Sequence, residues 1–311
     1  MLTALEQQVL QDFRAHPGRD LPMPGISSRE DWLRLGLGLL LAAGRKVRAL
    51  RFSPLADAVV FKADGSPSVP VEIEIETSLR EQLQRIAPAT CVMGEETGGC
   101  ISGSGCSVAI DPVDGTWALV NRSETHATSL AFFEQGRVFL GMVANAATGE
   151  IAYALEGGPA RLLQLACFAE PDAAYDLPLV GRPAQPLLVN LHPARTAGRF
   201  VDGFVEAWGR REIAMLKSPG GSPAWALLEA AKGSFVYVNR WSAQACAPYD
   251  LAGSILLLRC AGGEAVGLDG QAIDAYRHRG LFIAGIDADA VAAVVAICRR
   301  IDQDAQPQRP G

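Results

Sequence analysis

Near the middle of this chain lies the run Ile110-Asp111-Pro112-Val113-Asp114-Gly115-Thr116-Trp117. Two aspartates three residues apart close the apolar stretch 107–110. Side by side their charges repel, so the pairing makes sense where a cation lies between them. Other acids share this setting: Glu95 and Glu96 after the apolar stretch 90–93, and Asp250 after Pro248-Tyr249. Hard carboxylate oxygens of this kind suit Mg2+ or Mn2+. Gly115 lets backbone approach a ligand closely. The amides of Gly115 and Thr116, opening a helical turn, would point at a phosphate oxygen. The chemistry described is phosphoryl displacement, with two metals about 3.5–4 Å apart activating a water and stabilising the leaving oxygen.

Each fragment alone has a plainer reading. An isolated D-x-x-D-G-T is a turn with an Asx or helix cap. An isolated GEE is a solvated loop, and an acid at a helix start answers the macrodipole. Their joint appearance, in this order and after apolar strands, favours the metal site. The histidines, His16, His126, His192 and His278, show no metal-ligand spacing, and His126 reads as a loop or capping residue. The glycine-rich run 98–105 lacks the P-loop lysine and reads as a hairpin loop. Lys62 reads equally as a charge near the metals and as a surface lysine. Arg122 reads as part of a solvated loop, and Trp225 and Trp241 as core or lobe-interface residues.

The elements that must position these residues follow from pattern. Thr3 with Glu6 caps a helix to about Ala15, and Ser27 with Glu30 caps a longer one to about Ala49. A strand over 56–61 leads to a turn at 63–67. The segment 71–86 obeys two rules at once: VEIEIE alternates like a strand, while Leu79, Leu83 and Ile86 recur like a helix. It is expected to start extended and turn helical. Strands follow at 90–93 and 107–110, then a meander over 129–155 and a loop-rich stretch over 157–186 that ends the first lobe. Beyond it strands at 187–191, 212–216, 235–239 and 281–285 alternate with helices at 199–210, 222–232, 248–260 and 287–301. The last ten residues read as a tail.

Bulk composition narrows the function classes. The formal net charge is −6 with both signs interspersed, which argues against a nucleic-acid polymer as partner. The most apolar run, 33–44, is too short to span a membrane. The N-terminus has no basic leader. Seven cysteines without C-x-x-C favour a reduced, cytoplasmic setting, and the Cys100/Cys106 spacing is poor evidence for either a disulfide or a zinc site. A chain of 311 residues, 49% hydrophobic, suits two domains or one large one.

FKADGSP (61–67), GEE (94–96), DPVDGT (111–116), GGSPAWALLEAAKG (220–233) and PYDLAGSILLLRCAGG (248–263) together resemble the inositol monophosphatase superfamily of metal-dependent, lithium-sensitive phosphatases. The resemblance implies an α+β fold, layered as an α/β/α/β/α sandwich in two lobes, 1–185 and 186–311. It implies two or three Mg2+ ions, with Mn2+ able to substitute. Glu95, Asp111 and the Val113 carbonyl match one metal's ligands, and Asp111, Asp114 and Asp250 match the second's. Thr116 matches the hydroxyl that orients the attacking water, and Gly115 and Thr116 match the phosphate cradle. Glu72 stands where the family carries an aspartate, and Val69 where it carries a threonine. Gly221, Ser222 and Asp250 match substrate contacts, with Pro223 removing an amide there; the acidic residue that meets a sugar hydroxyl in inositol-specific members has no clear match, and Asn239 is nearest. The expected activity is hydrolysis of a small inositol-, sugar- or nucleotide-type phosphate by direct water attack, in a homodimer. Two rivals remain at this level: a degenerate member that binds without turnover, and a haloacid-dehalogenase-type phosphatase, whose Asp-x-Asp differs from the spacing here.

Overall fold

The computed structural model describes all residues except 17–24, 63–66, 167–171, 181–186, 194–197, 219–220, 246, 276–277 and 306–311. The expected turn at 63–67, most of the helix stop at 16–18 and the side chain of Trp241 fall outside this description.

Helix α1 (Ala4–Ala15) carries the expected capping box: the Glu6 amide donates to Thr3 Oγ1 at 3.2 Å, and the Thr3 amide donates to Glu6 Oε2 at 2.5 Å. Helix α2 (Arg29–Arg51) uses Ser28 and Asp31 rather than Ser27 and Glu30. Asp31 Oδ2 accepts from the amide and the hydroxyl of both serines at 2.8–2.9 Å, more than Glu30 could gather. The strand expected over 56–61 shrinks to β1 (Val60–Phe61), because Pro54–Asp57 winds into a 3-10 turn. β1 pairs with β2 (Pro67–Ser68).

The largest local correction concerns 71–76. Pro70 opens helix α3 (Pro70–Ile86), which runs unbroken with no extended start. Helical spacing wins over alternation because Glu72, Ile75, Glu76, Leu79 and Leu83 are all buried along one side of it.

Then come β3 (Cys91–Gly94), β4 (Gly98–Gly99), β5 (Cys106–Asp114), the short α4 (Thr116–Val120), β6 (Ala127–Glu134), β7 (Arg137–Asn145) and β8 (Glu150–Leu155). The stretch read as loop-rich holds two more strands, β9 (Ala160–Gln164) and β10 (Ala173–Asp176), which extend the meander beside β8. The C-terminal half contributes β11 (Leu188–Pro193), α5 (Gly198–Gly209), β12 (Met215–Lys217), α6 (Pro223–Ala231), β13 (Val236–Ala245), α7 (Pro248–Cys260), β14 (Glu264–Val266), β15 (Arg279–Gly285) and α8 (Ala288–Ala305). Helix α8 runs past Ile301 into residues expected as tail.

Among the described residues, apart from the two-stranded β1–β2 sheet, the strands form one eight-stranded sheet, ordered β10-β9-β8-β7-β6-β5-β3-β4, and one five-stranded sheet, ordered β12-β11-β13-β15-β14. The first is antiparallel except where β3 runs parallel to β5. In the second, β11 is parallel to both β12 and β13. Helices α1–α3 cover one face of the large sheet, α6 and α7 lie between the sheets, and α5 and α8 cover the far face of the small one. This is the five-layer α/β/α/β/α sandwich implied by the resemblance. Cys100 and Cys106 are free thiols and form no disulfide. Among the described residues no helix is long and apolar enough to cross a membrane.

The two faces of the large sheet differ in size of side chain. Leu130, Phe132, Leu140 and Met142 point to α2, while Ala109, Ala131, Gly141, Ala154 and Ala160 stand in register across five strands on the other face. This row of small residues is a groove for α7. A Cβ on Gly141 would lie 2.2 Å from the Gly253 carbonyl oxygen, and one on Gly253 would lie 2.6 Å from the Leu130 oxygen. Backbone therefore packs on backbone, and the N-terminus of α7 is held at a fixed height over β5.

Gly253→Ala tests that contact. Helix propensity alone would add about 1 kcal/mol of stability. The clash with β6 outweighs it, and a net loss of about 2 kcal/mol is expected from urea unfolding. A stabilised variant would show that the groove is not tight.

Candidate functional site

Three chain segments meet at one end of the large sheet. β5 ends in a bulge: Asp111 pairs with Ser129 and Asp114 with Ala127, so Pro112 and Val113 together face the single Thr128. The Thr128 hydroxyl donates to the Pro112 carbonyl at 2.9 Å, which fixes the bulge. The extra residue re-aims the strand and turns both aspartates inward. β3, parallel to β5, delivers Glu95, whose amide donates to the Ile110 carbonyl at 3.1 Å. α7 delivers Asp250 in its first turn, where Oδ2 accepts from the Ala247 amide at 3.1 Å.

Asp111, Asp114 and Asp250 each present an oxygen within 4.8 Å of the others. All three are buried, Asp111 to 1% exposure. At an effective dielectric of about 20, two unit charges that close repel by at least about 3 kcal/mol. Three ionised carboxylates would then cost about 10 kcal/mol, as much as the whole stability of an ordinary domain. The protonation behaviour agrees. Burial, then the charges of Glu95, Asp114 and Asp250, hold Asp111 well above the ordinary carboxylate range. Burial, then Asp114 and Glu95, does the same to Asp250, against the pull of the Ala247 amide and Lys62. Asp114 is pushed up to about 7 by burial, although the Ser222 hydroxyl and the Ala224 amide favour its charged form.

The cluster fits a divalent cation. Its donors are hard oxygens, and Asp111 Oδ2 is buried with no hydrogen-bond partner while Oδ1 accepts from the Val113 amide at 3.0 Å. Lys62 is the neighbouring cation. Its Nζ sits 2.8 Å from both Glu95 and Glu96, which resolves the ambiguity of its reading in favour of a charge at the site.

Gly115 caps α4 with φ 91°, a left-handed conformation suited to glycine. A Cβ there would lie 2.8 Å from the Ser222 amide nitrogen, so the DGT turn abuts the loop before α6. Gly221 is similarly constrained, with φ 93° and the Thr125 carbonyl where a Cβ would be. Ser222, expected to face substrate, is spent within the protein. Its hydroxyl donates to Asp114 Oδ2 and accepts from the Trp225 amide at 2.8 Å, and its own amide donates to the Thr125 carbonyl at 2.8 Å. The Ala224 amide also donates to Asp114 Oδ2, at 2.7 Å. Pro223 thus costs no amide that Asp114 needs, and Ser222 is a support for Asp114, which nothing but the fold reveals.

Glu72 is 1% exposed in the first turn of α3, with Oε2 accepting from the Val69 amide at 3.0 Å. Burial pushes it up to about 8, with the charges of Glu96 and Glu95 adding and the Thr116 hydroxyl opposing. Glu72 and Thr116 are therefore neighbours. Val113 is buried within the bulge. Asn239 lies on β13, on the face turned to α6 and α7; it is fully buried, with neither Oδ1 nor Nδ2 partnered. His126 is core: Nδ1 lies 3.0 Å from the Ser123 carbonyl, and burial lowers its pKa to about 4. Arg122 is paired with the Asp57 carboxylate at 2.7 Å.

The sequence matches the Inositol monophosphatase family over residues 40–300. It is 28% identical over 250 residues to a histidinol-phosphatase of Mycobacterium tuberculosis, covering 78% of this chain and 89% of that protein. It is 26% identical over 243 residues to a fructose-1,6-bisphosphatase/inositol-1-monophosphatase of Thermotoga maritima, covering 76% and 86%. Its fold superposes on an IMPase structure from Thermotoga maritima with TM-score 0.71 at 21% identity, covering 88% and 99%. With most of its length matched, and with the acidic cluster where three elements converge, the chain belongs to the inositol monophosphatase family of phosphatases.

Proposed function

We propose that this chain hydrolyses the phosphate monoester of a small hydroxylated alcohol, using Mg2+ held by Glu95, Asp111, the Val113 carbonyl, Asp114 and Asp250. The observation that carries this reading is the approach of three buried carboxylates to within 4.8 Å, with Asp111 Oδ2 lacking any donor. Bound divalent ions would neutralise that charge and lower the pKa of a coordinated water. The amides of Gly115 and Thr116 grip the phosphate. The Thr116 hydroxyl, beside Glu72, orients the attacking water and leads its proton toward Glu72. Glu72, buried beside Thr116, is placed to take that proton, since burial favours its neutral form. Water attacks phosphorus directly, with no phosphoenzyme.

On the alcohol side, Gly221 and Asp250 are the residues the resemblance offers to the substrate, whereas Asn239 is fully buried between β13 and the α6–α7 layer. The relatives are named for histidinol, fructose-1,6-bisphosphate and inositol phosphates, so those compounds with nucleotide monophosphates form the substrate panel. The same resemblance supports lithium inhibition, a homodimer and two lobes, 1–185 and 186–311; cysteine usage supports a cytoplasmic setting. A binding protein without turnover is the rival, and an inactive wild type across the panel with Mg2+ would establish it.

Asp111→Asn is expected to cut kcat at least about a thousandfold and to abolish tight Mn2+ binding; near-normal turnover would rule out the site. Glu72→Gln should lower kcat by about a hundredfold or more with KM little changed, and an unchanged kcat would remove Glu72 from the proton path.

Protonation also predicts stability. Glu72, Asp111, Asp114 and Asp250 all bind a proton more tightly folded than unfolded. Their contribution is therefore most favourable below the ordinary carboxylate pKa and is lost as pH rises through the folded values, about 7 for Asp114 and about 8 for Glu72. Metal-stripped protein should lose several degrees of Tm between about pH 5 and 8, and Mg2+ should restore them at pH 8 but not at pH 5. A flat profile without metal would contradict the cluster's electrostatics.

A further inference from the structure

Glu76 takes no part in the chemistry above, yet it is fully buried one helical turn from Glu72. Its carboxylate faces the turn that carries Glu95. Oε2 accepts from the Glu96 amide at 2.8 Å; Oε1 accepts from the Thr97 amide at 2.9 Å and from the Thr97 hydroxyl. Gly94 completes the contact, since a Cβ there would lie 1.8 Å from Glu76 Oε1. Arg80, the next turn of α3, pairs with Glu76 at 3.6 Å and grips both flanks of the same turn, donating to the Val92 carbonyl at 3.0 Å and the Gly98 carbonyl at 2.8 Å.

We propose that Glu76 is a positioning residue for the candidate metal centre: it clamps the Gly94–Thr97 turn and thereby sets where Glu95 meets Asp111, Asp114 and Asp250. This rests on the metal reading above. The physical case is the direction of the donors. Two consecutive amides converge on one carboxylate, so the peptide planes on the C-terminal side of Glu95 are fixed, while the Glu95 amide on Ile110 fixes the N-terminal side. The Glu95 side chain then leaves a backbone held at both ends. Without the clamp, Lys62 and the repulsion from Asp111 would compete for the side chain's direction.

The test is Mn2+ binding followed by EPR, with the Mg2+ half-saturation of turnover as a second readout. Glu76→Gln is nearly isosteric but turns an NH2 group toward one of the two amides. It and Glu76→Ala should weaken Mn2+ binding about tenfold or more, raise the Mg2+ half-saturation by a similar factor, and leave KM at saturating Mg2+ within about twofold. Glu6→Gln is the control. Glu6 is equally buried but anchors α1 to Tyr153 and Arg161, so its loss should lower Tm and leave Mn2+ affinity unchanged. Thr97→Val removes only the hydroxyl donor and should weaken Mn2+ binding by about two- to threefold. It decides the matter if the Glu76 variants do not fold. Wild-type Mn2+ affinity in folded Glu76→Gln, or in Thr97→Val when that variant decides, would overturn the proposal. So would an equal loss in Glu6→Gln. A wild type that binds no Mn2+ would instead overturn the metal reading itself, which separates the two failures.

Discussion

Mutual repulsion among buried carboxylates is the constraint around which the rest of this molecule is arranged. Asp111, Asp114 and Asp250 approach one another where water cannot screen them, and Glu95 adds its charge from the neighbouring strand. No carboxylate set would collect there by hydrophobic collapse alone. Something else must force the segments together, and something positive must then make their meeting favourable.

The force comes from the layers. Buried apolar area scales with surface removed from water, and the large sheet is covered on both faces. The row Ala109, Ala131, Gly141, Ala154 and Ala160 lets α7 approach until backbones touch. Since α7 starts two residues before Asp250, close packing along the helix fixes the position of its first turn. The β5 bulge does the same for Asp111 and Asp114, and the backbone contact between Gly115 and the Gly221–Ser222 loop ties the DGT turn to α6.

Each acid is also tethered by one of its oxygens to a neutral donor. Asp111 Oδ1 takes the Val113 amide, Asp114 Oδ2 takes Ser222 and Ala224, Asp250 Oδ2 takes the Ala247 amide, and Glu72 Oε2 takes the Val69 amide. These bonds fix orientation while leaving net negative charge uncompensated. Asp111 Oδ2 and Glu72 Oε1, both buried and unpartnered, are the visible remainder. A site tethered in this way is organised before its cation arrives, which suits catalysis by preorganised charge.

Much of this was legible from residue types. Asp-x-x-Asp-Gly-Thr after an apolar strand, GEE after another, and Pro-Tyr-Asp opening a helix each state their chemistry locally, because carboxylate and glycine carry it wherever the chain puts them. The alternation of helices and strands in the C-terminal half was equally plain, since burial imposes periodicity on sequence. Tertiary structure decided the rest. Val71–Glu76 alternates like a strand, yet burial of Glu72 and Glu76 on one helical face settled it as helix, and the strand-like reading concealed that the two glutamates are neighbours. Ser222 looked like a ligand to substrate; only the approach of α6 to β5 shows its hydroxyl committed to Asp114. Lys62 was ambiguous until the fold placed its ammonium between Glu95 and Glu96. Partners separated by dozens of residues are chosen by packing, and a linear pattern holds no record of which polar groups will be left facing one another.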